Sequence, residues 1–236
     1  FHRYIRSQLT DARMAGKSKS VPFNTWEAMY YDLSLQRLKA LADSAAEVGV
    51  ERFVLDDGWF KNRKSDCAGL GDWFVDQSIF PDGLAPLIDH VQAQGMEFGL
   101  WIEPEMVNPD SDLYRAHPDW VLSAEPASVV LSRHQLVLDL TRSEVQDYLF
   151  DCVDKLLSQY PLSYLKWDMN RINNQPGDTQ GRAVTHQQTV ALDKLQGRIR
   201  VAHPQLDIES CATDGSSEEF GSLAYTDRLL TAYMHD

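Results

Sequence analysis

A chain of 236 residues, 43% of them hydrophobic, is long enough to bury a sizeable core and has the length of one α/β barrel. Its formal charge of -13 at pH 7 excludes the basic surface that nucleic acid or an anionic membrane requires; it fits a neutral or cationic ligand, or serves solubility alone. The three cysteines, Cys67, Cys152 and Cys211, are odd in number and widely spaced, with neither a disulfide framework nor a CxxC metal pair visible, which points to a reducing, cytoplasmic setting.

In chain order, residues 1–20 lack an apolar signal core and begin without Met; they read as a linker or helix leading into a domain cut from something longer. The first apolar run is "VPFNTWEA" (21–28). In the segment 34–50, Leu35, Leu38, Leu41, Ala42, Ala45 and Val48 recur at steps of three and four, which predicts a helix. The second run is "ERFVLDDGWF" (51–60). A helix over 83–96 stops at Gly95. The third and fourth runs are "MEFGLWIEPEMV" (96–107) and "HQLVLDL" (134–140). Residues 142–160 carry Val145, Leu149, Val153 and Leu156 at helical spacing. The fifth run, "LSYLKWDMN" (162–170), precedes a helix over 185–205. "QLDIESCAT" (205–213) is the sixth run, and a weaker seventh lies at 228–236. No stretch reaches the roughly 18 apolar residues of a membrane span.

Strands alternating with helices at this spacing predict a parallel sheet with crossover helices. Six or seven such units, with no glycine-rich first turn, predict a (β/α)8 barrel over residues 21–236, about seven units present and the last strand missing. The runs end in polar or aromatic residues: Asn24, Trp26 and Glu27; Asp56, Asp57 and Trp59; Trp101, Glu103 and Glu105; Lys166, Asp168 and Asn170; Glu209 and Cys211. In barrels that end carries the active site. Blander readings stand beside this one. Asp56 and Asp57 suit a solvated turn, Lys166 and Asp168 a structural ion pair, and Trp26, Trp101 and Trp167 plain core. His90, His117, His134, His186 and His203 show no ligand spacing. HExxH, phosphate-loop and GxSxG motifs are missing, so no metal or cofactor is expected.

Carboxylates, tryptophans, a lysine and an asparagine around one pocket suit a sugar. A carboxylate flanked by Lys and Asn can act as a nucleophile, and retaining glycoside hydrolysis needs a second carboxyl roughly 5–5.5 Å away. The stretches "PFNTWEA", "FVLDDGWF", "FGLWIEPEMVNPDSDLY", "QLVLDLTRSEV", "LKWDMNR" and "ESC" together resemble the catalytic barrel of glycoside hydrolase family 36, the bacterial α-galactosidases. The resemblance implies a retaining enzyme that removes terminal α-linked galactose from oligosaccharides, with Asp168 as nucleophile. It implies galactose contacts from Trp26, Asp56, Asp57, Trp101, Arg133, Lys166, Asn170 and Cys211. A homo-oligomer is compatible with it. The chain departs from the family pattern after Cys211. Asp214 replaces a glycine and Ser217 an arginine. Tyr233 stands where the acid/base aspartate is expected, with Asp236 three residues on. Tyrosine, with an ordinary pKa of about 10, is a poor acid for this step. A galactoside-binding relative without the acid, and a galactosyl transferase, therefore stay open.

Overall fold

The computed structural model describes residues 19–123, 130–171, 180–212 and 225–230, together with 173, 175, 177 and 178. The described strands are β1 (Pro22–Asn24), β2 (Arg52–Leu55), β3 (Glu97–Ile102), β4 (Met106–Val107), β5 (Leu136–Val137), β6 (Tyr164–Met169), β7 (Asp207–Ala212) and β8 (Arg228–Leu230). The helices are α1 (Trp26–Met29), α2 (Leu35–Glu47), α3 (Ala85–Ala93), α4 (Asp112–Ala116), α5 (Ser143–Gln159) and α6 (Thr185–Ala202). Six strands form one parallel sheet in the order β1-β2-β3-β6-β7-β8.

Side chains alternate along each strand, so the sheet has two different faces. One carries Phe53, Leu55, Phe98, Leu100, Leu165 and Ile208. These join Leu38 and Ala42 of α2, Ile88 and Val91 of α3, and Leu149 and Val153 of α5 in one apolar core. Burying that face is what holds the helices on the sheet. The cap of α2 follows from sequence, since Ser34 Oγ accepts the Arg37 N–H at 3.3 Å.

The opposite face is polar, and its bonds show that the sheet curls. Arg52 on β2 donates to Glu97 on β3 (2.7 Å) and to Asp207 on β7 (2.8 Å), with its guanidinium 4.6 Å from the centre of the Tyr164 ring. Strands β2 and β7 are separated by two others in the order. Arg228 of β8 also donates to the Ser20 carbonyl just before β1 (3.2 Å), joining the two edges of the sheet. Gly99 makes room inside this curl: a Cβ there would lie 2.6 Å from Cδ1 of Tyr164.

The fourth predicted run does not join this sheet. Leu136–Val137 pairs antiparallel with Met106–Val107, and β3 pairs directly with β6. The run "MEFGLWIEPEMV" makes two strands rather than one, and Pro104, which has no N–H to give a ladder, lies in the turn between them. The count of six or seven barrel units becomes six parallel strands among the described residues. Residues 1–18 and 231–236 lie outside them.

Candidate active site

The polar side chains gather at the C-terminal ends of β2, β3 and β6, as parallel strands require when their side chains stay in register. Trp101 lies opposite Lys166, Lys166 opposite Glu209, and Asp168 opposite Cys211. Above them opens a cavity of about 140 Å³ lined by Trp26, Asp56, Asp57, Trp101, Arg133, Lys166, Asp168 and Asn170, with Glu27, Tyr31, Arg63, Asp66, Glu103 and Gln135.

Asp168 is held from three sides. Oδ2 accepts the indole N–H of Trp101 (2.9 Å) and the side-chain amide of Asn170 (2.7 Å), and Oδ1 accepts the backbone N–H of Met169 (2.9 Å). Lys166, its neighbour on the same strand face, reaches across the pocket to Asp56 at 3.0 Å. Asn24 also donates to that oxygen (2.6 Å), and the Asp57 N–H takes the other (2.8 Å). Two buried ions are thereby matched, the condition for tolerating them in an interior. Asp57 receives a two-pronged bond from Arg63, at 2.8 and 2.7 Å, and one from the Tyr31 hydroxyl at 3.2 Å. Burial lifts the Asp57 carboxyl above its ordinary range, and Arg63 acts against that.

Glu103 is wholly buried beside Asp168. Oε1 accepts the Asn170 backbone N–H at 2.5 Å, and Oε2 accepts the Gln135 side-chain amide at 3.2 Å. Burial first, and the Asp168 charge second, push its carboxyl up to about 8. Arg133 comes from a turn in which Arg133 and His134 both have positive φ, 50° and 59°, and it donates to the Asn170 carbonyl at 3.3 Å. Trp26 packs edge-on against Tyr30 and Tyr31, both at 5.1 Å between ring centres.

Several expectations change. Glu105 does not line the cavity: it accepts the Trp167 indole N–H at 3.1 Å on the apolar side, where burial raises it to about 7. Trp59 is core and donates to the Trp101 carbonyl at 2.9 Å. Glu209 and Cys211 are buried on β7 but do not line the cavity formed by the described residues. Asp56 and Asp57 are buried, which removes the solvated-turn reading, and the salt bridge of Lys166 runs to Asp56. Arg63 and Asp66 had no signal, since they sit in a loop where side-chain direction has no period; Gln135 lay in the run 134–140, bridged to Ser132 just before β5. Asp214, Ser217, Tyr233 and Asp236 lie outside the described residues. Asp66, Cys67 and His134 bring ligand atoms within 4.8 Å of one another at the rim; Cys67 and His134 are exposed, and nothing else there points to an ion.

The family model described as Melibiase matches residues 1–236. The α-galactosidase of Escherichia coli is 43% identical over 236 residues, 100% of this chain and 33% of that protein. α-Galactosidase AgaA of Geobacillus stearothermophilus, solved in a complex with stachyose, superposes with a TM-score of 0.93 at 36% identity, covering 100% of this chain and 33% of that one. The Lactobacillus brevis α-galactosidase structure gives 0.89 at 41% identity, over 95% of this chain and 31% of the other. The chain thus spans about a third of the length of these relatives.

Proposed function

The chain belongs to the melibiase family, and on that premise we propose that it forms the catalytic barrel of a retaining α-galactosidase acting on terminal α-linked galactose in oligosaccharides. The observation that carries this reading is the setting of Asp168: a buried carboxylate at a strand end, oriented by Trp101, Met169 and Asn170 and open to a cavity. Oδ2 is engaged twice and Oδ1 once, which leaves Oδ1 the better placed to attack.

In the first step an Oδ1 lone pair forms a bond to the anomeric carbon. The glycosidic bond breaks toward its oxygen, which leaves with a proton from a general acid. In the second step water, giving a proton to the same group, displaces Asp168 and releases galactose with retained configuration. Asp56 and Asp57, held by Lys166 and Arg63, turn their remaining lone pairs to sugar hydroxyls, and Trp26 and Trp101 meet its apolar face. The acid is assigned to a group beyond the described residues, either Asp236 or a carboxyl outside this chain, Tyr233 being too weak an acid. Closure of the curled sheet into a full (β/α)8 barrel belongs to the same proposal. So does a cytoplasmic site, which the odd number and wide spacing of the three cysteines support.

The test is hydrolysis of raffinose followed by proton NMR. The α-anomer of galactose should appear first and should vanish in Asp168→Asn. The β-anomer appearing first would overturn the retaining mechanism. Raffinose bound without turnover would place the chain among binding relatives, and galactosyl transfer to an added sugar in preference to water among transferases.

A further inference from the structure

Glu103 ties together two parts of the pocket. Its Oε1 grips the Asn170 peptide at 2.5 Å, and the same asparagine orients Asp168 Oδ2 at 2.7 Å. The Asn170 carbonyl in turn holds Arg133 at 3.3 Å. Its Oε2 meets Gln135, two residues along the turn that carries Arg133.

The charged groups around Glu103 decide its state. From β6 come Asp168 and Lys166, from the turns after β2 come Asp57 and Arg63, and Arg133 and Arg171 flank Gln135 and Asn170. Each cation is engaged elsewhere: Lys166 by Asp56, Arg63 by Asp57, Arg171 by the Gln135 and Val130 carbonyls, and Arg133 by the Asn170 carbonyl. An ionised Glu103 would set a second buried carboxylate charge beside Asp168 with no cation bonded to it among the described residues, and of two such groups one keeps its proton.

We propose that Glu103 is a positioning residue that works as a neutral carboxylic acid, holding the proton of the Glu103–Asp168 pair so that Asp168 stays a free carboxylate while the Asn170 clamp keeps its place. This rests on the galactosidase reading. Burial first, and the Asp168 charge second, raise the Glu103 pKa to about 8, in keeping with this geometry. Ionisation of Glu103 then sets two like charges against each other and displaces Asp168, even though the Asn170 N–H binds a carboxylate more strongly than a neutral acid.

The test uses an activated 2-fluoro α-galactoside whose leaving group needs no acid, so the rate of covalent labelling reports the nucleophile alone. In the wild type the rate should be flat up to about pH 8 and fall about tenfold per pH unit above it. Glu103→Gln, a neutral group of the same shape, should lose that alkaline limb. Glu103→Ala should label about 10- to 100-fold more slowly than Glu103→Gln. Thermal unfolding identifies any variant that fails to fold, and the wild-type profile needs no variant. Labelling that stays flat to pH 9.5, or a limb that survives in Glu103→Gln, overturns this role alone. No labelling at any pH overturns the galactosidase reading and this role with it.

Discussion

A carboxylate makes a good nucleophile when its orientation is fixed before substrate arrives. At Asp168 that work is divided between a side chain on the neighbouring strand and two groups just beyond it on its own. Trp101→Phe keeps an aromatic ring, though a smaller one, and removes one donor. Since a hydrogen bond to a charged group contributes about 1.5–3 kcal/mol, the rate of glycosyl-enzyme formation should fall about 10- to 100-fold, read by rapid-quench kinetics. Lys166→Met leaves Asp56 buried without its cation, which costs about 3–5 kcal/mol and should show as a fall in the urea midpoint together with weaker galactose binding. The alternation of "LKWDMNR" puts Lys166, Asp168 and Asn170 on one face of a strand. It did not give the Lys166–Asp56 pair, which closes over 110 residues of chain. Nor did it give Glu103 a task, because a buried acid and a pocket acid look alike on a strand end.

At the scale of elements, the decisive fact is that β3 and β6 are neighbours. Their contact depends on Gly99, where a methyl group would meet Tyr164 at 2.6 Å while Arg52 stacks on the same ring. Gly99→Ala should therefore destabilise the protein by about 1–3 kcal/mol, a fall of roughly 2–10 °C in Tm by differential scanning fluorimetry. An unchanged Tm would mean that the ring has room to move. The helices over 35–47 and 143–159 were legible because each buries one stripe against the sheet. The run 134–140 was misread because a short apolar stretch has the same composition whether it enters a parallel sheet or pairs antiparallel beside it. Pro104 was the available clue.

For the molecule as a whole, the alternation of strand and helix announced a parallel α/β sheet, and the curl came from bonds that no local pattern encodes: Arg52 to Asp207 and Arg228 to Ser20. Stability should also carry a pH signature. Glu105 is raised from 4.5 to about 7 in the fold, so its protonated form stabilises the folded state. That contribution is complete below the unfolded value and is lost as pH rises toward about 7. Glu105→Gln keeps an oxygen for the Trp167 indole and removes the titration. It should be more stable than the wild type by about 1–3 kcal/mol above pH 7, with the gap closing below pH 5, as urea unfolding at several pH values would show.

The central claim is that Asp168 attacks the anomeric carbon. It is tested most directly by incubating the folded protein with 2-deoxy-2-fluoro-α-galactosyl fluoride and mapping the adduct by peptide mass spectrometry. The account predicts one fluorogalactosyl group on the peptide that carries Asp168, and none in Asp168→Ala. An adduct on a different residue, or no adduct in protein shown to be folded, would contradict it.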